Sequence, residues 1–576
     1  MRNRLFVVSA LLTVSLLVPS AAIGAATNGQ REPLLAICAG AEAQGPAWAS
    51  KLPQPVETTV TKHDVQIESS DGTLIAARVY LPDAFAGSKP TLLVTSPYHS
   101  ALGLYGRDLE DLSVLDYADC ITPFFLTRGY AVVLSDMRGT NNSDGCFDYA
   151  GPRDQLDGYA TVEWIADQPW SDGTVGMYGA SHVGTSQYAA AVTAPPALKA
   201  IIPIAPMTSY YRYLHNGGVH YETNMATPPA YEFGVAIPPP TNVEDPNYVE
   251  NAASSACSTH LLFRGMSLDG DFTNFFRVRD YSLMAKRITA AVFHTTGTLD
   301  QNVKMDHFTS MWRRLERENV PRKALIGPWG HSEPNVAYWR LTALRWYEHW
   351  LRGNDTGIMD EPTITTIDQM NTIRTSETLL PRGTKDEVLF ASGGTLPGSP
   401  TEGSVSYTDI PGLPRQLLME AEGARLLYDS EPFESPTRLV GAPTVDLVAS
   451  IDTTDTNFVA HLYDLAPNGT ASYISRGYLD ARHREGLRDG VDVEPGVPLH
   501  YRIELLAHDY ILDEGHRLRL LIASSDSCQW QVEFNNSASC RSSGVVSDTT
   551  AATVTALEGP EGTSLRLHIA PLSRKG

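Results

Sequence analysis

The sequence predicts an α/β domain built on a parallel sheet covered on both faces, followed by an all-β domain. Three observations carry this. Short, almost continuous apolar runs recur between helical patterns over the first part of the chain, as expected of strands buried on both faces of a parallel sheet. One of those runs ends in Gly176-Met177-Tyr178-Gly179-Ala180-Ser181-His182-Val183-Gly184-Thr185-Ser186-Gln187, a glycine-flanked turn leading into helix formers. Beyond about Leu379, turn residues alternate with short β runs at 443–448, 458–463, 517–522 and 565–569, the pattern of a β-sandwich.

The 576 residues exceed what one core accommodates and imply two or three domains. A hydrophobic content of 42% is that of a globular chain. The net charge of −22 argues against nucleic-acid binding, which wants a basic face, and reads as a solvated acidic surface. Residues 1–26 read as a secretory signal peptide. Arg2 and Arg4 form the charged start, Leu5 to Val18 the apolar stretch, and small residues at 22–26 the cleavage site. The mature chain is therefore expected to be secreted, extracellular or periplasmic. No later run reaches the roughly 18 apolar residues of a membrane helix, so no membrane span is expected. Export makes the six cysteines disulfide candidates rather than metal ligands. Cys528 with Cys540 and Cys120 with Cys146 are the expected pairs. Asp306-His307 reads as a solvated helix start, and no metal or cofactor is expected.

In chain order, residues 27–55 form an irregular lead-in. β patterns follow at 58–61 and 65–68, and after the turn Asp71-Gly72 at 73–82. The apolar parallel strands are expected at 90–95, at 130–135, in the run into Ser181, and at 200–204, 290–296 and 323–327. About 207–287 is too long for a single crossover and rich in aromatics, Asn and Pro, and reads as an inserted, mostly helical cap. The catalytic domain spans 55–378, and the β domain 379–576.

A serine on a tight strand-to-helix turn is lifted to the sheet edge at a helix N-terminus, the geometry of a nucleophile elbow. Such a serine needs a base and an acid, which this architecture supplies later in the chain in the order Asp, then His. Asp300 ends the run Thr296-Gly297-Thr298-Leu299-Asp300, and His331 ends Ile326-Gly327-Pro328-Trp329-Gly330-His331. Ser181, Asp300 and His331 are thus the expected catalytic residues, His331 accepting the serine proton and Asp300 orienting the imidazole. The backbone N–H of His182 follows the nucleophile and is the expected oxyanion donor. Tyr98, at the end of the first apolar parallel strand, offers a second donor or packs under the cap.

These segments resemble those of the cocaine esterase/X-Pro dipeptidyl-peptidase family. The elbow keeps that family's glycine three residues after the serine, as Gly184, with His182 in place of its usual tyrosine. Ser96-Pro97-Tyr98 is similar to the family's Thr-Pro-Tyr, whose tyrosine is an oxyanion donor. Asp136-Met137-Arg138-Gly139, with Ser143 and Gly145, is similar to its Asp-x-Arg-Gly loop, with Asn141 in place of a glycine. Gly327 to His331 and Trp346 to Gly353 also resemble family segments. The resemblance covers about residues 55–570. It implies an α/β-hydrolase domain with a helical cap and a C-terminal jelly roll, acting on small-molecule esters or amides, or on peptides.

The aromatic approach to the cap, Tyr210-Tyr211-Arg212-Tyr213, looks most like that of the X-Pro dipeptidyl-peptidases, for which Glu222 or Glu232 would take the substrate amine. The family's α-amino-ester hydrolases carry carboxylates where this chain has Gln301-Asn302-Val303. A carboxylesterase or acylase is the alternative. A lectin-like binding protein on a dead scaffold is disfavoured by the intact Ser181, Asp300 and His331. A homo-oligomer stays open.

Overall fold

A computed structural model describes residues 46–98, 121–221, 270–334, 336–397, 400–411, 413, 415–526 and 551–572. Among the described residues ten strands form one sheet. They are β1 (Val60–Glu68), β2 (Leu74–Pro82), β3 (Lys89–Ser96), β4 (Ala131–Asp136), β5 (Ser171–Ala180) and β6 (Leu198–Ile204), then, after a two-strand hairpin (β7, His215–Asn216; β8, Val219–His220), β9 (Ala291–Gly297), β10 (Arg322–Gly327), β11 (Ile364–Ile367) and β12 (Ile373–Ser376). Their order across the sheet is β1-β2-β4-β3-β5-β6-β9-β10-β11-β12. From β4 to β11 neighbours run parallel, while β1, β2 and β12 pair antiparallel at the edges.

The central strands are apolar on alternate residues facing both ways, and helices cover each face. Val133, Val175, Met177 and Val292 pack on one side with Val162 and Ile165 of α2 (Pro152–Ala166), Tyr188 and Ala191 of α3 (His182–Ala191), and Met311 and Leu315 of α6 (Met305–Arg317). On the other side Val132, Leu134 and Phe293 meet Phe125 of α1 (Ile121–Leu126) and Leu344, Trp346 and Tyr347 of α7 (Trp339–Trp350). The last two strands of the sheet, β11 and β12, are absent from the reading of the sequence: Ile364-Thr365-Thr366-Ile367 has no continuous apolar run.

Between β6 and β9 the described residues hold two one-turn helices (α4, Tyr210–Leu214; α5, Asn274–Arg277), the small hairpin and a 3-10 turn at Tyr281–Arg287. The hairpin adds a little β structure to a segment expected to be mostly helical. The rest of the cap, with Glu222 and Glu232, lies outside the described residues, as do the signal segment and five of the six cysteines, so neither expected cysteine pair lies wholly within them. No described helix is long and apolar enough to cross a membrane.

The C-terminal unit is a two-layer β-sandwich. An eight-stranded and a five-stranded sheet enclose a core that includes Tyr407, Leu426, Leu447, Phe458, Leu462, Leu520 and Leu567. It holds the base of the cap. Tyr478 N–H donates to Asn216 Oδ1 (3.2 Å), Asp480 N–H to Gly217 O (2.8 Å), and His483 Nε2 faces Asp271 Oδ1 (3.0 Å).

The Asp136–Gly139 loop is set by Arg138, whose guanidinium is buried. It donates to both oxygens of Asp157 (2.7 and 2.6 Å) and to those of Asp71 (3.0 and 3.3 Å), and holds the Asp71 carboxyl well below the usual carboxylate range. Removing one partner of a buried pair strands the other charge. Arg138→Met is therefore expected to lower the unfolding free energy by about 3–5 kcal/mol in urea titration. A loss under about 1 kcal/mol would show that Asp157 is otherwise solvated.

Candidate active site

The elbow forms where β5 ends. Ser181 takes φ 61° and ψ −126°, a region that non-glycine residues occupy only when the surroundings impose it. Its N–H donates to Ile204 O of the next strand (2.9 Å), and Gln187 Nε2 ties the helix back to Gly179 O (3.1 Å). Gly179 has φ 141°, and a Cβ there would lie 2.3 Å from Val183 Cγ1. A Cβ on Gly184 would meet Ile204 O at 2.8 Å. Those glycines let strand and helix approach.

Asp300 follows β9 and His331 follows β10, one sheet position apart. His331 Nε2 lies 2.7 Å from Ser181 Oγ, and its Nδ1 lies 2.7 Å from Asp300 Oδ2. Asp300 is buried while His331 is a quarter exposed. The other Asp300 oxygen accepts the N–H groups of Asn302 (2.8 Å) and Val303 (2.9 Å). The carboxylate is therefore satisfied as an ion and can fix the tautomer in which Nδ1 carries the proton and Nε2 accepts. The three side chains named from the sequence thus stand in one hydrogen-bonded row.

His182 opens α3 as its first residue, so its N–H points out of the helix end rather than at a carbonyl of the preceding turn. Its imidazole is buried against Phe147 and Tyr149 (centroids 5.6 and 5.4 Å), and burial pushes its pKa down to about 3. It is neutral at working pH, an aromatic filler where relatives of the resembled family have tyrosine. Tyr98 stands two residues past β3, half-buried, its N–H donating to Ser96 Oγ (3.0 Å). It lies within electrostatic reach of Tyr149.

Several supporting residues escape a reading of the sequence. Tyr213 OH donates to Asn302 Oδ1 (2.9 Å), and Lys304 Nζ to Asn302 O (3.0 Å), bracing the acid loop. Glu333 Oε1 accepts from Tyr178 OH (2.9 Å), which in turn accepts from Trp339 Nε1 (3.0 Å), tying the His331 loop to the nucleophile strand. Tyr149 and Ala150 are consecutive residues at positive φ, 44° and 63°. Asp154 Oδ2 holds the Ala150 N–H (2.7 Å) and Tyr281 OH its carbonyl (3.0 Å). Nothing local in Phe147-Asp148-Tyr149-Ala150 signals that conformation. Asp306 and His307 do begin a helix, α6, but His307 is buried and Asp306 largely withdrawn from solvent, correcting the solvated start. Thr208 and Arg212 of the cap base contact them, and Leu506 and Ala507 of the sandwich pack on the same helix at Met305 and Phe308. Among the described residues no group of three or more His, Cys, Asp or Glu could hold a metal ion.

A nucleophile elbow on a mostly parallel sheet, followed by a C-terminal β-sandwich, defines an α/β-hydrolase of the serine type. The X-Pro dipeptidyl-peptidase (S15 family) profile matches residues 71–333, and the X-Pro dipeptidyl-peptidase C-terminal non-catalytic domain matches 356–556. The chain belongs to the cocaine esterase/X-Pro dipeptidyl-peptidase family. It is 27% identical over 515 residues to a putative Xaa-Pro dipeptidyl-peptidase of Streptomyces avermitilis, covering 76% of this chain and 74% of that one. It is 25% identical to the cocaine esterase of a Rhodococcus species, covering 80% and 90%. Among solved structures, an aminopeptidase from a Thaumarchaeota archaeon superposes with a TM-score of 0.72 at 18% identity over 92% of this chain and 98% of that one. An α-amino acid ester hydrolase does so at 0.71 and 19%, over 89% and 97%.

If the Tyr98 hydroxyl is the second oxyanion donor, Tyr98→Phe lowers kcat by roughly 10²-fold or more, the usual cost of such a donor, with KM little changed. An unaltered kcat in steady-state assays assigns Tyr98 to packing.

Proposed function

We propose that this chain is an exported serine hydrolase that cleaves ester or amide bonds through an acyl-enzyme, and that its substrates are peptides from which it releases an N-terminal X-Pro dipeptide. The observation that carries the hydrolytic chemistry is the unbroken row from Ser181 Oγ through His331 to Asp300, both links at 2.7 Å. In this reading His331 Nε2 takes the Ser181 proton as Oγ attacks the carbonyl, and Asp300 stabilises the imidazolium. The His182 N–H and the Tyr98 hydroxyl receive the oxyanion. His331 then protonates the leaving amine or alcohol, and a water deprotonated by the same imidazole releases the acid from Ser181.

The peptidase assignment is supported by the X-Pro dipeptidyl-peptidase profiles over both parts of the chain. Glu222 or Glu232 of the cap would take the free amine as a charge-assisted partner. The second reading is a carboxylesterase. It is favoured by the cocaine esterase relative, which aligns over 90% of its own length, while Gln301-Asn302-Val303 after the acid counts against an α-amino-ester hydrolase. Export rests on the charged start and apolar stretch of residues 1–26. N-terminal sequencing of the protein recovered from periplasm and medium tests it.

The mature protein should hydrolyse an Ala-Pro anilide and lose that activity when the substrate amine is acylated. Turnover of a short-chain aryl ester alone would assign it as an esterase. Ser181→Ala is expected to remove at least about 10⁴-fold of kcat on either substrate while leaving the thermal midpoint within a few degrees. Residual turnover near wild type would place the nucleophile elsewhere.

A further inference from the structure

Behind the acid loop, where the C-terminal sandwich meets the catalytic domain, lies a group of buried polar side chains that are not hydrogen-bonded to one another, the two Asp306 oxygens among them. Arg476, on the strand Ala471–Asp480, is fully buried. Among the described residues none of its three guanidinium nitrogens has a hydrogen-bond partner. The nearest ring, Tyr478, has its centroid 6.0 Å from the guanidinium carbon. The buried hydroxyl of Tyr221 is likewise without a partner there, and Lys304 Nζ stands 3.8 Å above the Tyr221 ring with the Asn302 carbonyl as its hydrogen-bond acceptor. Tyr221, Lys304 and Arg476 lie within mutual electrostatic reach.

Two carboxylates are close, and neither forms an ion pair with Arg476. Asp526 Oδ2 accepts from Tyr478 OH (2.7 Å) and faces His461 Nε2 at 3.2 Å. Asp306 faces Arg212 at 3.9 Å. A buried guanidinium without an acceptor is costly, and native structures pair or coordinate such charges. Its planar fork matches a carboxylate, which takes two parallel N–H bonds.

We propose that Arg476, with the Tyr221 hydroxyl and the Lys304 ammonium beside it, forms a buried binding site for a small carboxylate. A carboxylic acid is what hydrolysis of an ester or amide releases, so the source is either a free short-chain acid or an acid produced at Ser181. Nothing in the site's geometry depends on which reading of the substrate holds.

The test uses the full mature protein with sodium acetate as the probe, and acetamide and sodium chloride at matched concentration and ionic strength as controls. Acetate should raise the thermal midpoint saturably while the two controls do not. Arg476→Gln should weaken the apparent acetate affinity about tenfold or more, the usual effect of losing a charge-assisted pair. Should that variant fail to fold, Arg476→Lys and Tyr221→Phe are read instead, each expected to weaken acetate severalfold. An equal rise with acetamide or chloride, or acetate affinity unchanged in the variants that fold, overturns the site. Competition of acetate with an ester substrate, lost in the same variants, would identify the acid formed at Ser181 as the occupant. Non-competitive behaviour would identify a free acid. Because binding is read from thermal unfolding, loss of turnover in Ser181→Ala leaves this test intact and separates its failure from that of the hydrolase assignment.

Discussion

Ser181 holds a backbone conformation that costs an L-residue on the order of 1–3 kcal/mol, and the remainder of the site exists because the sheet holds it there. The Ser181 N–H is taken by Ile204 O on the neighbouring strand. The turn closes only because Gly179 and Gly184 leave no side chain between strand and helix. The strain lifts Oγ off the sheet edge toward His331 and leaves the first N–H of α3 facing the same space. The exposed Ser181 hydroxyl and the free-facing helix N-terminus are thus two products of one constrained turn.

The row of three side chains depends on strand order as much as on the turn. β5, β6, β9 and β10 are consecutive in the sheet, so loops that carry Asp300 and His331, 119 and 150 residues from Ser181 in the chain, open beside it. The loops that carry Asp300 and His331 are also bonded to each other. Thr298 N–H donates to Gly327 O (2.8 Å) and Leu299 N–H to Trp329 O (3.1 Å). Asp300 is inaccessible to solvent yet well supplied with N–H donors. Those donors occupy Oδ1, which leaves Oδ2 for the imidazole. The geometry is preorganised by backbone amides rather than by long flexible side chains.

The C-terminal sandwich is part of this arrangement. Both ends of the described cap segment rest on it, through Asn216 and Gly217 at one end and Asp271 at the other. It also buries the start of α6 and brings Arg476 up behind Lys304.

Much of this was legible from local pattern. Continuous apolar runs named the strands around the site. The glycine spacing about Ser181 named the turn, and the order Ser181, Asp300, His331 named the row, because an elbow and two strand-end loops are each encoded within a few residues. What the sequence could not determine arises where side chains from distant segments meet. Residue type alone makes Asp306-His307 a solvated helix start, and only the covering sandwich and cap base bury it. The positive φ of Tyr149 and Ala150 is imposed by Asp154 and Tyr281, not by their own preferences. β11 is polar at two of four positions and becomes a strand by pairing with β10 and β12. The role of Arg476 depends on which domain face it is pressed against. Sequence thus determined the elements and the side chains that meet at the candidate site, since periodicity and turn chemistry are local. Burial, hydrogen-bond partners and the charges left unmatched were decided by tertiary packing, because they depend on contacts between residues far apart in the chain.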